Sequence, residues 1–330
     1  MNLETTYLGL SLPHPFVAGA SPLADDLDMV RRLEDAGAAA IVMSSLFEEQ
    51  IVHQRMSAFL AQELAVDDSA ETLALLTEGG SFGGRPQEYL DHLQRVRRAV
   101  SVPIIGSLNG STPGGWLEYA RRIEEAGADA LELNVYAVAT DPWRAAHEIE
   151  AETVELVRAV RGAVQIPLAV KLSPFYTSLA HLAERLVDAG ADGLVLFNPL
   201  YQPDIDIENQ TIDHLRAQPA VRSLALRLRW LAILSGQIQT SFAASGGVRS
   251  TGDAVKALMS GADAVQIVSE LLVNGPERLR TLREELAFWL ADHQYESLAQ
   301  LRGAMNLRNC PDPAAYERAS YMLMLRGRRS

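Results

Sequence analysis

The sequence predicts a (β/α)8 barrel, and three observations carry that prediction. A helix end, a glycine and a short apolar run recur four times: "AGAAAIVM" (residues 36–43), "AGADALELN" (126–134), "AGADGLVLFN" (189–198) and "GADAVQIVS" (261–269). Two further strand starts share a second pattern, "SVPIIGSLNG" (101–110) and "QIPLAVKLS" (165–173). The apolar runs lack polar alternation, as strands buried on both faces of a parallel sheet do. A length of 330 residues suits eight strand and helix pairs.

Taken in order, an N-terminal extension leads into strand one at "PFVAGAS" (15–21). The helices end in "MVRRLEDAG" (29–37), "YARRIEEAG" (119–127) and "LAERLVDAG" (182–190), each glycine suited to a left-handed C-terminal cap. The repeat copies fall at strands two, four, six and eight. Strands three and five open on a proline, where its missing N–H costs least. Strand seven is "SFAASGGV" (241–248). Long loops follow strand two (46–85) and strand six (200–222), the usual caps of a barrel site, and "TEGGSFGGR" (77–85) reads as a flap. A helical extension is expected from about residue 286, within a single domain over residues 1–330. The rival fold, a doubly wound open sheet, would carry G-x-G-x-x-G or a P-loop, and the sequence has neither.

Composition narrows the function. With 48% hydrophobic residues the chain can bury a large core. A net charge of −13 argues against a nucleic-acid partner. Cys310 is the only cysteine, so an internal disulfide, a thiolate metal cluster and an internal iron–sulfur centre are excluded, and no metal is expected. The first thirty residues lack Lys and Arg, and no window reaches a membrane span, so a cytoplasmic protein is expected. The nearest approach, "SLALRLRWLAIL" (223–234), reads as an amphipathic helix broken by its arginines.

Barrel sites form at the C-terminal strand ends, where this chain places Ser107 and Asn109, Asn134 and Tyr136, Lys171 and Ser173, Asn198, Ser245, Gln266 and Ser269. Asn and Lys are expensive in buried strands unless they are satisfied, so several convergent ones point to a polar ligand. Ser245-Gly246-Gly247 leads into "STGDAVKALMSG", which is either a tight turn or a helix N-terminus aimed at a phosphate; its place on strand seven favours the phosphate. Lys171 either snorkels or points its cation into the barrel mouth, and its apolar neighbours favour the mouth. Asn134 and Asn198 either bond to nearby loops or, with Lys171, form an amide, cation, amide series suited to a planar heterocycle.

These motifs, "ELN", "VKL", the strand-six Asn, "SGG" and "GADAVQI", resemble the dihydroorotate dehydrogenase family, from "LGLSLPHPF" to about residue 285. The resemblance implies FMN as cofactor. Its phosphate would lie at Ser245, Gly246, Gly247, Val268 and Ser269, its ring against Ala20, Ser21, Asn109, Asn134, Lys171 and Asn198. It also implies dihydroorotate oxidation to orotate in pyrimidine biosynthesis, a planar cyclic amide as substrate, a homodimer, and a redox partner protein.

The departures lie on the substrate side. The family places a Cys or Ser base three residues after the strand-four Asn, and Ala137 stands there. Met43 stands where the family keeps a Lys, and Ala139 where a substrate asparagine is expected. Tyr136 is the nearest replacement acid or base, with Thr140 second; Tyr136 is equally well read as a rim aromatic. The alternative function is a flavin-binding subunit or a divergent oxidoreductase that lacks dihydroorotate activity.

Overall fold

The computed structural model describes residues 1–47, 86–109, 116–135, 138–198, 204–213 and 223–318. Eight parallel strands form the barrel: β1 (Phe16–Ala18), β2 (Ile41–Val42), β3 (Ile104–Asn109), β4 (Ala130–Asn134), β5 (Leu168–Leu172), β6 (Gly193–Leu196), β7 (Ser241–Ser245) and β8 (Ala264–Ile267). They pair in the order β2, β1, β8, β7, β6, β5, β4, β3, and a β2–β3 pairing closes the ring. All eight strands match the sequence expectation. The helices outside them are α1 (Leu27–Asp35), α2 (Pro86–Ala99), α3 (Trp116–Glu125), α4 (Ala146–Ala163), α5 (Leu179–Asp188), α6 (Ser223–Ser235), α7 (Thr251–Met259), α8 (Ser269–Asn274) and α9 (Arg278–Asp292).

The repeated letters encode the joints at the bottom of the barrel. Gly37, Gly127, Gly190 and Gly261 take φ between 89° and 110°, the left-handed cap that ends each helix. The Asp that follows then holds the start of the neighbouring odd strand. Asp129, Asp192 and Asp263 each accept a backbone N–H at 2.8 Å, from Ile104, Leu168 and Phe242 respectively. Each is paired with an arginine: Arg97, Arg161 and Arg302. Glu34 and Glu124 do the same for the loops entering β3 and β5, accepting from Val102 at 3.2 Å and Ile166 at 2.9 Å. The prolines lie one residue before these strands rather than on their first residue. There Pro103 and Pro167 need no N–H, and their carbonyls accept from Ile41 and Leu131.

The N-terminal extension is a hairpin, Thr5–Tyr7 paired with Leu10–Leu12, that plugs the barrel floor. One buried cluster joins Tyr7, Leu8 and Leu12 to an inward residue of every barrel strand, four of them alanines: Ala130, Ala169, Ala243 and Ala264. Small side chains there leave the space that Tyr7 and Leu8 fill. A Cβ on Gly193 would stand 2.5 Å from Leu8 Cδ2, so β6 needs glycine at this level.

Two expectations change outside the barrel. Helix α6 forms where expected, but it is not divided into an apolar face and an arginine face, because Arg227 is buried. Its guanidinium reaches the carbonyls of Ser245 and Phe197 at the ends of β7 and β6. Residue 286 falls in the middle of α9, whose Leu279, Leu282, Leu286 and Leu290 are all buried. The loop after strand six contains a hairpin, Asp204–Asp206 with Thr211–Asp213. The flap at 77–85 lies outside the described residues. Among the described residues, no helix is long and apolar enough to cross a membrane.

Candidate active site

Parallel strands bring all their C-terminal ends to one rim, and among the described residues Ser107 and Asn109 end β3, Asn134 ends β4, Lys171 lies near the end of β5 and Ser245 ends β7. Because side chains alternate along a strand, the inward Ala130 is followed inward by Glu132 and Asn134, and the inward Ala169 by Lys171. The registers then set Asn109 beside Asn134, and Asn134 beside Lys171.

Asn134 is buried and tied to the neighbouring strands. Its Nδ2 donates to Ser107 Oγ at 2.9 Å, and Ser107 Oγ lies 2.8 Å from Ser45 Oγ. Among the described residues, its Oδ1 has no partner and remains able to accept from a ligand. The Tyr89 phenol braces the same level of β3, donating to Ser107 O at 3.2 Å and accepting from Ser107 N at 3.0 Å. Burial raises its pKa far above the phenol range, so it stays neutral. On the other side, Asn198 Nδ2 donates to the Lys171 carbonyl at 3.2 Å, fixing the end of β6 to β5.

Lys171 does not snorkel. Its Nζ lies 3.0 Å from Glu132 Oε1 and 3.2 Å from Gln266 Oε1, across the barrel interior. Gln266 Nε2 donates in turn to Glu132 Oε2, which closes a three-membered ring of side chains. Glu132 is 0% exposed, Gln266 1% and Lys171 4%. The sequence reading missed Glu132; the available signal was an acidic residue at the centre of the apolar run "LELNV".

On the far side of the rim, Gly246 and Gly247 take φ of 87° and 84°. The Arg227 guanidinium lies behind them, and a Cβ on Gly246 would stand 3.0 Å from its Nη2. Burial lowers the Arg227 pKa to about 10, which leaves it charged at neutral pH. Val268 and Ser269 end β8 beside Ala20 and Ser21 at the end of β1; a Cβ on Gly19 would meet Val268 Cγ2 at 2.7 Å. Among the described residues, no hydrogen bond takes up the N–H groups of Gly246, Gly247, Val268 and Ser269. The N-terminus of α7 is a different matter and corrects the phosphate expectation for that helix. Ser250 Oγ accepts from Asp253 N at 3.2 Å, and the Asp253 carboxylate accepts from Arg249 N and Ser250 N. A carboxylate of the chain itself occupies that helix end.

Tyr136 and Ala137 lie outside the described residues, and Thr140 is exposed. Met43 is fully buried in the apolar cluster between barrel and helices, so the end of β2 brings no cation there.

Residues 84–290 match the family described as Dihydroorotate dehydrogenase. Dihydroorotate dehydrogenase B (NAD(+)), catalytic subunit, of Methanothermobacter thermautotrophicus is 26% identical over 311 residues, covering 91% of this chain and 97% of that one. The protein of the same name from Geobacter sp. (strain M21) is 30% identical over 223 residues, 63% of this chain and 70% of its own. Barrel and sequence match agree: the chain belongs to the dihydroorotate dehydrogenase family, oxidoreductases that act on CH–CH groups.

Proposed function

We propose that this chain is an FMN-dependent oxidoreductase of a small planar cyclic amide, with dihydroorotate the first compound to test. The observation that carries the reading is the set of N–H groups of Gly246, Gly247, Val268 and Ser269, on two adjacent strand ends, that no hydrogen bond among the described residues takes up. Such a set fits a phosphate. Ser245 ends β7 within the same cradle, and the charged Arg227 guanidinium behind the glycine turn favours an anion in front of it. Ala20 and Ser21 would line the ring, with Asn109, Asn134, Lys171 and Asn198 along its polar edge. Bound FMN would supply the hydride acceptor at its N5. Asn134 offers a carbonyl to an imide N–H, and the Lys171 ammonium stabilises negative charge on the ring edge it faces.

Dehydrogenation of a CH–CH bond also needs a proton carrier beside the second carbon. Ala137 has no group for this, and we assign it to Tyr136, the hydroxyl nearest the end of β4 in sequence. The two relatives, each the catalytic subunit of a dihydroorotate dehydrogenase B (NAD(+)), support a separate redox partner.

A second reading is favoured by Ala137 and by the buried, apolar Met43: a flavin-holding subunit of a redox assembly that does not oxidise dihydroorotate. The visible spectrum of the purified chain supplied with FMN, followed by anaerobic addition of dihydroorotate, separates the two. Bleaching of the flavin bands supports the first reading. Bands that stay oxidised support the second, and a colourless protein overturns both.

A further inference from the structure

We propose that Glu132 is a positioning residue: with Gln266 it holds the Lys171 ammonium and sets how much positive charge a bound flavin meets at the barrel mouth. The inference rests on the FMN reading above and concerns three side chains of this chain.

The ring of contacts is closed. Glu132 Oε1 and Gln266 Oε1 take two of the three ammonium N–H groups, at 3.0 and 3.2 Å, and Glu132 Oε2 takes the Gln266 amide. Among the described residues one N–H of Lys171 is left over, and Lys171 lies one residue pair from Asn134, whose Oδ1 has no partner among them either. A lysine held at two of its donors has its third direction set.

Stability alone does not account for the ring. A buried ion pair is replaceable by well-packed apolar residues without loss of stability. This barrel already follows that rule one layer lower, where alanines, Tyr7 and Leu8 make an apolar floor. Glu132, Lys171 and Gln266 stand in the next layer up, toward the rim. The basic residues point the same way. Of the 29 Lys and Arg residues, Lys171 and Lys256 are the only lysines, and arginine fills every other basic position. Lysine is a point charge with three donors, so it satisfies two interior acceptors and still presents a donor to a ligand. A paired carboxylate offsets most of the ammonium field at a distance, so Glu132 fixes both where the charge sits and how much of it reaches the mouth.

The scarcity of lysine makes the test direct. A sample labelled with 15N at the lysine side chains yields two Nζ signals, one from exposed Lys256 and one from Lys171. In the flavin-free chain, Glu132→Gln is expected to shift or abolish the Lys171 signal and leave that of Lys256 in place. With FMN, the quantity to read is the ratio of affinities for reduced and oxidised cofactor. Glu132→Gln is expected to raise it about tenfold, equivalent to about 30 mV for two electrons. In a Lys171→Met background the same substitution is expected to change it less than twofold. Gln266→Met, which keeps the ion pair, is expected to raise it about threefold, and it decides the matter if Glu132→Gln does not fold. A wild-type ratio in the variants overturns the proposal, as does a Glu132→Gln shift that is equal with and without Lys171. Wild-type protein that fails to bind FMN overturns the functional reading instead, and the Nζ response then reports by itself whether Glu132 holds Lys171.

Discussion

The backbone N–H of Phe16 donates to His14 Nδ1 at 3.3 Å, and His14 thereby does for β1 what an aspartate does for β3, β5 and β7. The first repeat copy has Ala39 where the others have Asp129, Asp192 and Asp263. Ala39 packs in the apolar floor cluster with Tyr7 and Leu8 and offers no acceptor. The acceptor for the β1 N–H therefore comes from the other side, out of the segment that joins the hairpin to the barrel.

That substitution gives the fold an acid-sensitive joint. Burial, and then the Arg283 charge, lower the His14 pKa from 6.5 to about 4. Between these values the unfolded chain binds a proton that the folded chain refuses, so stability falls as the pH drops through 6.5 towards 4. The loss approaches about 3 kcal/mol at the acid end of the window. Urea midpoints should fall between pH 7.5 and pH 4.5, and His14→Asn, which keeps an acceptor, should remove most of that fall. An unchanged slope in the variant would place the acid sensitivity elsewhere.

Asp263 works with the opposite sign. Burial pushes its pKa from 3.8 up to about 6, against the pull of Arg302 and the Phe242 N–H. The folded chain holds this proton more tightly than the unfolded one, so the cost grows as the pH rises from 3.8 to 6 and is complete above 6. Removing the counter-charge with Arg302→Gln should therefore destabilise the protein more at pH 7.5 than at pH 4.5, by about 1–2 kcal/mol. Equal losses at the two pH values would show that Arg302 acts through packing alone.

The joints were legible because each is local: a cap glycine and the Asp two residues later lie within one short word, and its repetition marks the period. The rim amides were legible because Asn and Lys are costly in apolar strands. Glu132 escaped because its partner Gln266 is 134 residues away, so its pairing is a product of barrel closure. The arginines of α6 read as breaks in an apolar run, since a helix pattern cannot show that carbonyls 18 and 30 residues away will meet Arg227. The N-terminus of α7 carried a readable sign: Ser250 and Asp253 are spaced as a capping box, which marks a helix end already satisfied.

The floor plug depends on a single fit. A Cβ on Gly193 would meet Leu8 Cδ2 at 2.5 Å and Ser241 O at 3.2 Å. Gly193→Ala should cost about 1–3 kcal/mol by overpacking. Leu8→Ala should cost about 2–5 kcal/mol by opening a cavity. In the double variant the added methyl enters the space that the leucine left, so its cost should be clearly less than the sum. Additive urea midpoints would mean that the two residues do not share this space.

The glycine turn on β7 offers the sharpest separation between the two ends of the proposed cofactor. Gly246 has φ of 87°, and a Cβ there would stand 3.0 Å from the Arg227 guanidinium. Gly246→Ala thus forces a left-handed alanine, at about 1–2 kcal/mol, and pushes the turn away from the cation that backs it. If the turn holds a phosphate, FMN affinity should fall at least tenfold. Riboflavin has the same ring and no phosphate, so its affinity should change less than twofold, because Asn134 and Lys171 stand on strands β4 and β5 across the rim. Isothermal titration of both ligands with both proteins reads this directly. Parallel losses for the two ligands would mean that the turn shapes the whole pocket rather than the phosphate end, and the assignment of Gly246 and Gly247 would fall.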